Sequence, residues 1–283
     1  MKFKLHHQRE QELLELSDDV ANECTQTGRV CPIKICKDKK ITVVHGNYGV
    51  GKFDGLLALR DGAWTILCNL DNGNTPGSSR ERFTIAHELG HYHIPEHRKQ
   101  LLAGCPSHGS NTGAFDGADS IEELEADTFA ANLLMPPKRF VPRLRAVKET
   151  PLSAVLRLRQ EFDTSLESTA IQTMRHDDGV LVITKWVDES LAWHRIAEMA
   201  FKADGYRSFK LKHAFQLQRD CAIAAALRDA EDKYNGGPHD CVAPAYFYFD
   251  RVAAGDKRDI LIREEAIRNG RFGVLGILSR YLN

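Results

Sequence analysis

Arg82-Phe83-Thr84-Ile85-Ala86-His87-Glu88-Leu89-Gly90-His91 reads as the middle of a single helix. Ser78 marks its start, since its hydroxyl can cap the helix and Glu81 three residues on completes a capping box; Pro95 limits how far it runs. Histidines four apart lie on one side of a helix, so the imidazoles of His87 and His91 can reach one ion. Glu88 between them can point toward a water held at that ion, which is the geometry a metal hydrolase needs. With 12 His among 283 residues, chance would place this pattern in about 0.03 of such chains.

A hydrolytic metal site takes three protein ligands and keeps one position open. Two residues can supply the third ligand. His97 lies six beyond His91, which is the metzincin spacing, but that pattern has a glycine three after the second histidine so that the chain can turn back; here Ile94 and Pro95 stand there. Glu123 opens the run Glu123-Leu124-Glu125-Ala126-Asp127 in a second predicted helix, 121–135, stopped by Pro136-Pro137. Glu123 and Asp127 share a helix face, the Glu-x-x-x-Asp arrangement of gluzincin-type metallopeptidases, in which the first acid is a ligand and the second accepts the other ring N–H of a ligand histidine. Ser120 and Glu123 also fit a capping box, and Glu122 and Glu125 offer carboxylates at neighbouring positions.

The 283 residues suffice for one large domain or two ordinary ones, far above the size at which disulfides or metals must hold a core. Lys plus Arg (38) nearly balance Asp plus Glu (39), which excludes a broad cationic surface and weakens a nucleic-acid-binding role. The opening MKFKLHHQREQELLEL has charge where a signal peptide needs an apolar core, and no window approaches the roughly 18 apolar residues of a membrane span. A cytoplasmic protein with no membrane partner is expected. The seven cysteines (24, 31, 36, 68, 105, 221, 241) are odd in number and form no Cys-x-x-Cys pair, so they read as reduced structural thiols.

The pattern along the chain is α+β. A helix over 8–24, strands at 41–44, 55–59 and 63–70, the two helices above and a Gly- and Ser-rich loop over 104–119 make up the first part. Two short helices between 151 and 176, parted by Asp163-Thr164-Ser165, complete a domain 1–176 whose segment 138–176 is helical support. A separate C-terminal α+β module, 177–283, is expected to hold strands at 179–187, 246–250 and 259–263 and one long helix, 214–234.

Residues 82–91, followed by Glu123-x-x-x-Asp127-x-Phe129-Ala130-x-x-Leu133-Leu134-Met135-Pro136, resemble the paired signature of the ImmA/IrrE family of metallo-endopeptidases. The resemblance spans about 40–176. It implies a zincin-like peptidase domain with Zn2+ as cofactor, His87, His91 and Glu123 as ligands, Asp127 behind them and Glu88 as catalytic base. It further implies a protein substrate, often a helix-turn-helix repressor cleaved in a stress response. Manganese could occupy the same ligands. Tyr92, His93 and His97 are near enough in sequence to stabilise an oxyanion, and the strand 63–70 could offer an edge for an extended substrate.

The rival is a non-catalytic metal-binding regulator that contacts DNA through 138–176, where eight Lys or Arg face four acids. Glu88 separates the two readings, because a structural site has no use for a base between its ligands. Three weaker patterns are discounted. Gly46 to Phe53 matches the glycines and lysine of a phosphate-binding loop but lacks its Ser or Thr and is followed by a strand pattern, while Cys31-x4-Cys36 and Cys105-x2-His108 have poor metal spacing.

Overall fold

The leucine- and β-branched-rich runs near the start fold as β1 (Thr42–Gly46), β2 (Gly55–Arg60) and β3 (Ala63–Asn69). Asp61 and Gly62, with φ of 50° and 77°, turn β2 into β3 so that Arg60 faces Ala63, the left-handed pair that a two-residue hairpin requires. The computed structural model describes residues 5–104, 120–197, 221–229, 237–245, 248 and 261–281. Within it β3 is the centre of a three-stranded sheet, antiparallel to β2 and parallel to β1. The expectation that 63–70 offers an edge is therefore corrected. The hairpin takes one side of β3 and β1 the other, so the edges among the described residues are β1 and β2.

Around this sheet stand α1 (His7–Cys24), α2 (Pro32–Asp38), α3 (Ser79–His93), α4 (Pro95–Leu102) and α5 (Ile121–Leu134). Pro95 ends α3 and also opens α4, since its missing N–H costs nothing at a first helical position. Chain continuation gives α6 (Pro137–Ala146), α7 (Pro151–Phe162) and α8 (Leu166–His176). Two compact units result, Met1–Arg143 with Arg159–Ser165, and Leu144–Leu158 with Leu166–Asn283.

The core of the first unit centres on α3. Ile85, Ala86 and Leu89 are fully buried with Ile66 and Cys68 of β3, Leu57 of β2, Leu13 and Ala21 of α1, and Phe129 and Leu133 of α5. The six described cysteines are free thiols. Burial pushes the Cys36 and Cys68 thiols up to about 12, so they act as small apolar side chains. Among the described residues Cys31 and Cys36 join no group able to hold a metal, and Cys105 and His108 lie outside the described residues, as does nearly all of the Gly- and Ser-rich loop.

The glycine-rich run before β2 is a turn whose amides are already used. Gly49 and Gly51 donate to Asp71 Oδ2 and Asn72 Oδ1, both at 2.8 Å, and the Asn69 amide donates to the carbonyls of Gly49 and Phe53 at 2.9 and 2.8 Å. Carboxylate and amide oxygens occupy the donors that a phosphate would need, and a strand follows instead of a helix.

In the second unit an antiparallel sheet runs in the order β5 (Ser190–Ile196), β4 (Val180–Val187), β8 (Val274–Arg280), β7 (Leu261–Arg268) and β6 (His239–Pro244), with α8 packed on β4 and α9 (Ala222–Arg228) on β7. Strands β5, β6 and β8 were not anticipated. The expected unbroken helix over 214–234 is corrected: among the described residues it holds the short α9, with extended backbone at Cys221 and Asp229 on either side, and the rest of the span lies outside the described residues. The expected strand 246–250 lies outside the described residues except for Tyr248, which is in a turn. Among the described residues, no helix is long and apolar enough to cross a membrane.

Candidate metal centre

The site exists because α3 and α5 approach closely at small residues. A Cβ on Gly90 would lie 3.1 Å from the Ala126 Cα and 3.3 Å from both its carbonyl oxygen and the Phe129 ring. A helical glycine costs about 1 kcal/mol relative to alanine, and here it lets two helix backbones meet. Gly90→Ala is therefore expected to destabilise the chain by about 1–3 kcal/mol, read as a lower midpoint in urea, because backbone atoms of Ala126 cannot rotate aside. A midpoint equal to or above wild type would remove close helix contact as the reason for this glycine.

The approach carries the first turn of α5 to the two histidines of α3. The Ser120 hydroxyl accepts from the Glu123 backbone N–H at 3.3 Å, so the cap uses the main chain and leaves the carboxylate free. Glu123 Oε2 lies 3.1 Å from His87 Nε2, its Oε1 lies 3.3 Å from His91 Nε2, and the two Nε2 atoms are 3.1 Å apart. These three residues are a group that could hold a metal ion.

What lies behind the rings decides which nitrogens carry protons. His87 Nδ1 is 2.9 Å from Asp127 Oδ1 and donates to that carboxylate, which leaves a lone pair on Nε2. His91 Nδ1 is 3.2 Å from His97 Nδ1, and His97 Nε2 is 3.0 Å from Glu125 Oε2. Since His97 donates to Glu125 through Nε2, its Nδ1 accepts from His91, and Nε2 of His91 too bears a lone pair; this assignment follows from the hydrogen-bond network. With the rings neutral, two imidazole lone pairs and a carboxylate converge, a donor set matched to a divalent cation that displaces the proton of His87.

Burial disfavours charge on His87, yet Asp127 and Glu123 outweigh it and raise its proton affinity well above the ordinary value. Burial likewise opposes the Glu123 carboxylate, and the adjacent His87 and His91 hold it well below the usual carboxylate range. The pocket attracts positive charge.

Glu88 is 1% exposed and lies against the first residue of β2, where a Cβ on Gly55 would come within 2.6 Å of its Oε1. That strand end is tied to α3. The Thr84 hydroxyl donates to Asn74 Oδ1 at 2.7 Å, and the Asn74 amide donates to the Asp54 and Asn69 carbonyls at 3.1 and 3.0 Å.

Of the other nominated residues, Tyr92 packs edge-on against Trp64 with the Arg98 guanidinium 4.4 Å over its ring. His93 stacks on Phe129, and burial lowers its pKa to about 4. His97 has one nitrogen on His91 and the other on Glu125, so neither joins the converging lone pairs. In the basic segment, Lys138 pairs with Asp18, Arg139 reaches Asn22 and Arg143 pairs with Glu161. Sequence reasoning passed over Gly55 and Gly90, whose lack of a side chain makes room for Glu88 and Ala126. It also passed over Arg9, which meets Glu125 from 116 positions away.

Residues 36–174 match the family model Peptidase_M78, described as an IrrE N-terminal-like domain. No curated protein matches the chain. Among solved structures, one described as a Mycobacterium tuberculosis transcriptional regulator shares the fold, with a TM-score of 0.58 and 12% identity over 97% of this chain and 77% of that one. At that identity the likeness is one of fold alone.

Proposed function

Since the chain belongs to the ImmA/IrrE family through its IrrE N-terminal-like domain, we propose that it is a zinc-dependent endopeptidase that cuts a regulatory protein, a helix-turn-helix repressor being the substrate class the resemblance implies. The observation that carries this reading is the convergence of His87, His91 and Glu123 with Glu88 in the turn between the two histidines. His87, His91 and Glu123 would hold the zinc, and Asp127 would fix the His87 ring. Bound there, zinc supplies Lewis acidity toward the scissile carbonyl and makes water ionisable near neutral pH. Glu88 accepts the proton of the attacking water and passes it to the departing amine nitrogen. Its burial against the start of β2 limits competing solvent.

The strand that borders Glu88 is β2, which lies at a sheet edge among the described residues. An extended substrate segment can pair its backbone with that edge, and only an exposed linker can unpair from its own fold to do so. We take 1–176 as the peptidase domain and 177–283 as a module that holds the partner or senses a signal, in a cytoplasmic protein. The rival regulator role is weakened by Glu88 and by the pairing of Lys138, Arg139 and Arg143 within the protein.

The test is direct. The full chain with one equivalent of zinc should convert a helix-turn-helix repressor into two fragments, and a chelator should stop this without changing the circular dichroism of the chain. Cleavage that survives the chelator would overturn the zinc mechanism, and DNA binding by the chain with no cleavage of any repressor offered would favour the regulator reading.

A further inference from the structure

The two histidines are held from behind by unlike devices. His87 donates straight to a carboxylate, Asp127, whereas His91 donates to a second imidazole, His97, which is 3% exposed. His97 in turn donates to Glu125 at 3.0 Å, and Arg9 grips both oxygens of Glu125 through Nε and a terminal nitrogen, each at 2.8 Å. The same guanidinium reaches Glu96 at 3.0 Å and Glu12 at 3.1 Å. We propose that His97, Glu125 and Arg9 are positioning residues that hold the His91 ring in its ligand orientation, so that α1, which lies outside the matched span 36–174, helps set the metal affinity of the site. This rests on the zinc-site reading above.

The physical reason is orientation. An imidazole free to turn about its ring torsion offers either nitrogen to an ion, and ordering it on binding costs free energy. An acceptor for Nδ1–H selects one ring orientation and one tautomer before the ion arrives. His97 can accept at Nδ1 only while its own proton sits at Nε2, and Glu125 holds it there. A buried carboxylate without a partner would be costly, and the bidentate guanidinium of Arg9 offsets this. A network that merely tied α1 to α4 and α5 would have no need to place an acceptor on a ligand ring.

Zinc affinity of the full-length chain, measured by competition with a chromophoric chelator, separates the two roles; the melting temperature of the metal-free protein is recorded alongside. His97→Ala should bind zinc about 10- to 100-fold more weakly than wild type. His97→Asn, whose side-chain oxygen can occupy the place of Nδ1, should return to within about threefold of wild type. Arg9→Ala should show a smaller loss, about three- to tenfold. Wild-type affinity in His97→Ala, or His97→Asn as weak as His97→Ala, would overturn the proposal, whatever the melting temperatures do. If His97→Ala does not fold, Glu125→Gln carries the test: an affinity about tenfold weaker supports the line, and wild-type affinity overturns it. A wild-type chain that takes up no zinc would fell the functional reading and this one together. A wild-type chain that binds one zinc, with His97→Ala equally tight, would fell only this one.

Discussion

Glu88→Gln protein is expected to bind zinc as wild type does and to hydrolyse its substrate roughly 10²- to 10⁴-fold more slowly. The amide fills nearly the same volume, which matters for a side chain 1% exposed beneath Gly55. Its oxygen still accepts a hydrogen bond, but it cannot take a proton from water or return one to an amine. The ligand atoms of His87, His91 and Glu123 are untouched, so metal content should stay at one per chain. Single-turnover cleavage and metal analysis on the same preparation check both halves. Wild-type cleavage by a zinc-loaded variant would show that Glu88 is not the base.

Glu123→Ala should lose zinc affinity by more than about 100-fold, exceeding the effect of any residue that acts from behind a ligand. The substitution removes the carboxylate that lies 3.1 Å from His87 Nε2 and 3.3 Å from His91 Nε2. It should leave α5 folded, because the Ser120 cap is made to the Glu123 backbone N–H, which alanine keeps. Losing one acid from a first helical turn costs only about 0.3–1 kcal/mol, so the metal-free melting temperature should scarcely move. Metal content after gel filtration decides the matter, and a variant that keeps zinc while His97→Ala releases it would make His97 the third ligand.

The contrast between these two residues shows what a sequence can settle. The positions His87, Glu88 and His91 depend on helix periodicity within five residues, and their placement on α3 follows from the Ser78 cap and the proline at 95, all of them local. The runs that became α1, β2, β3, α7 and α8 were legible for the same reason, since burial on one face imprints a short-range period. Choosing Glu123 over Glu122 and Glu125 was not a local matter. Successive residues point about 100° apart on a helix, and which one meets the histidines depends on how α5 lies across Gly90.

The strand β8 escaped because a strand buried on nearly both faces carries no alternation to read, while β5 and β6 have no fully buried face to imprint an apolar period. The edge expected at 63–70 failed because strand order is a property of the sheet, and no run of residues states that β1 will pair with β3 in parallel. By itself, then, the sequence determined the α+β class, the histidine pair with its intervening glutamate, and the two acids that could serve them, because those signals live within a few turns of helix. Only the tertiary structure decided that Glu125 belongs to His97 and Arg9 while Glu123 belongs to His87 and His91. Carboxylates two residues apart share a composition and a helix, and differ only in what the rest of the chain brings to each face.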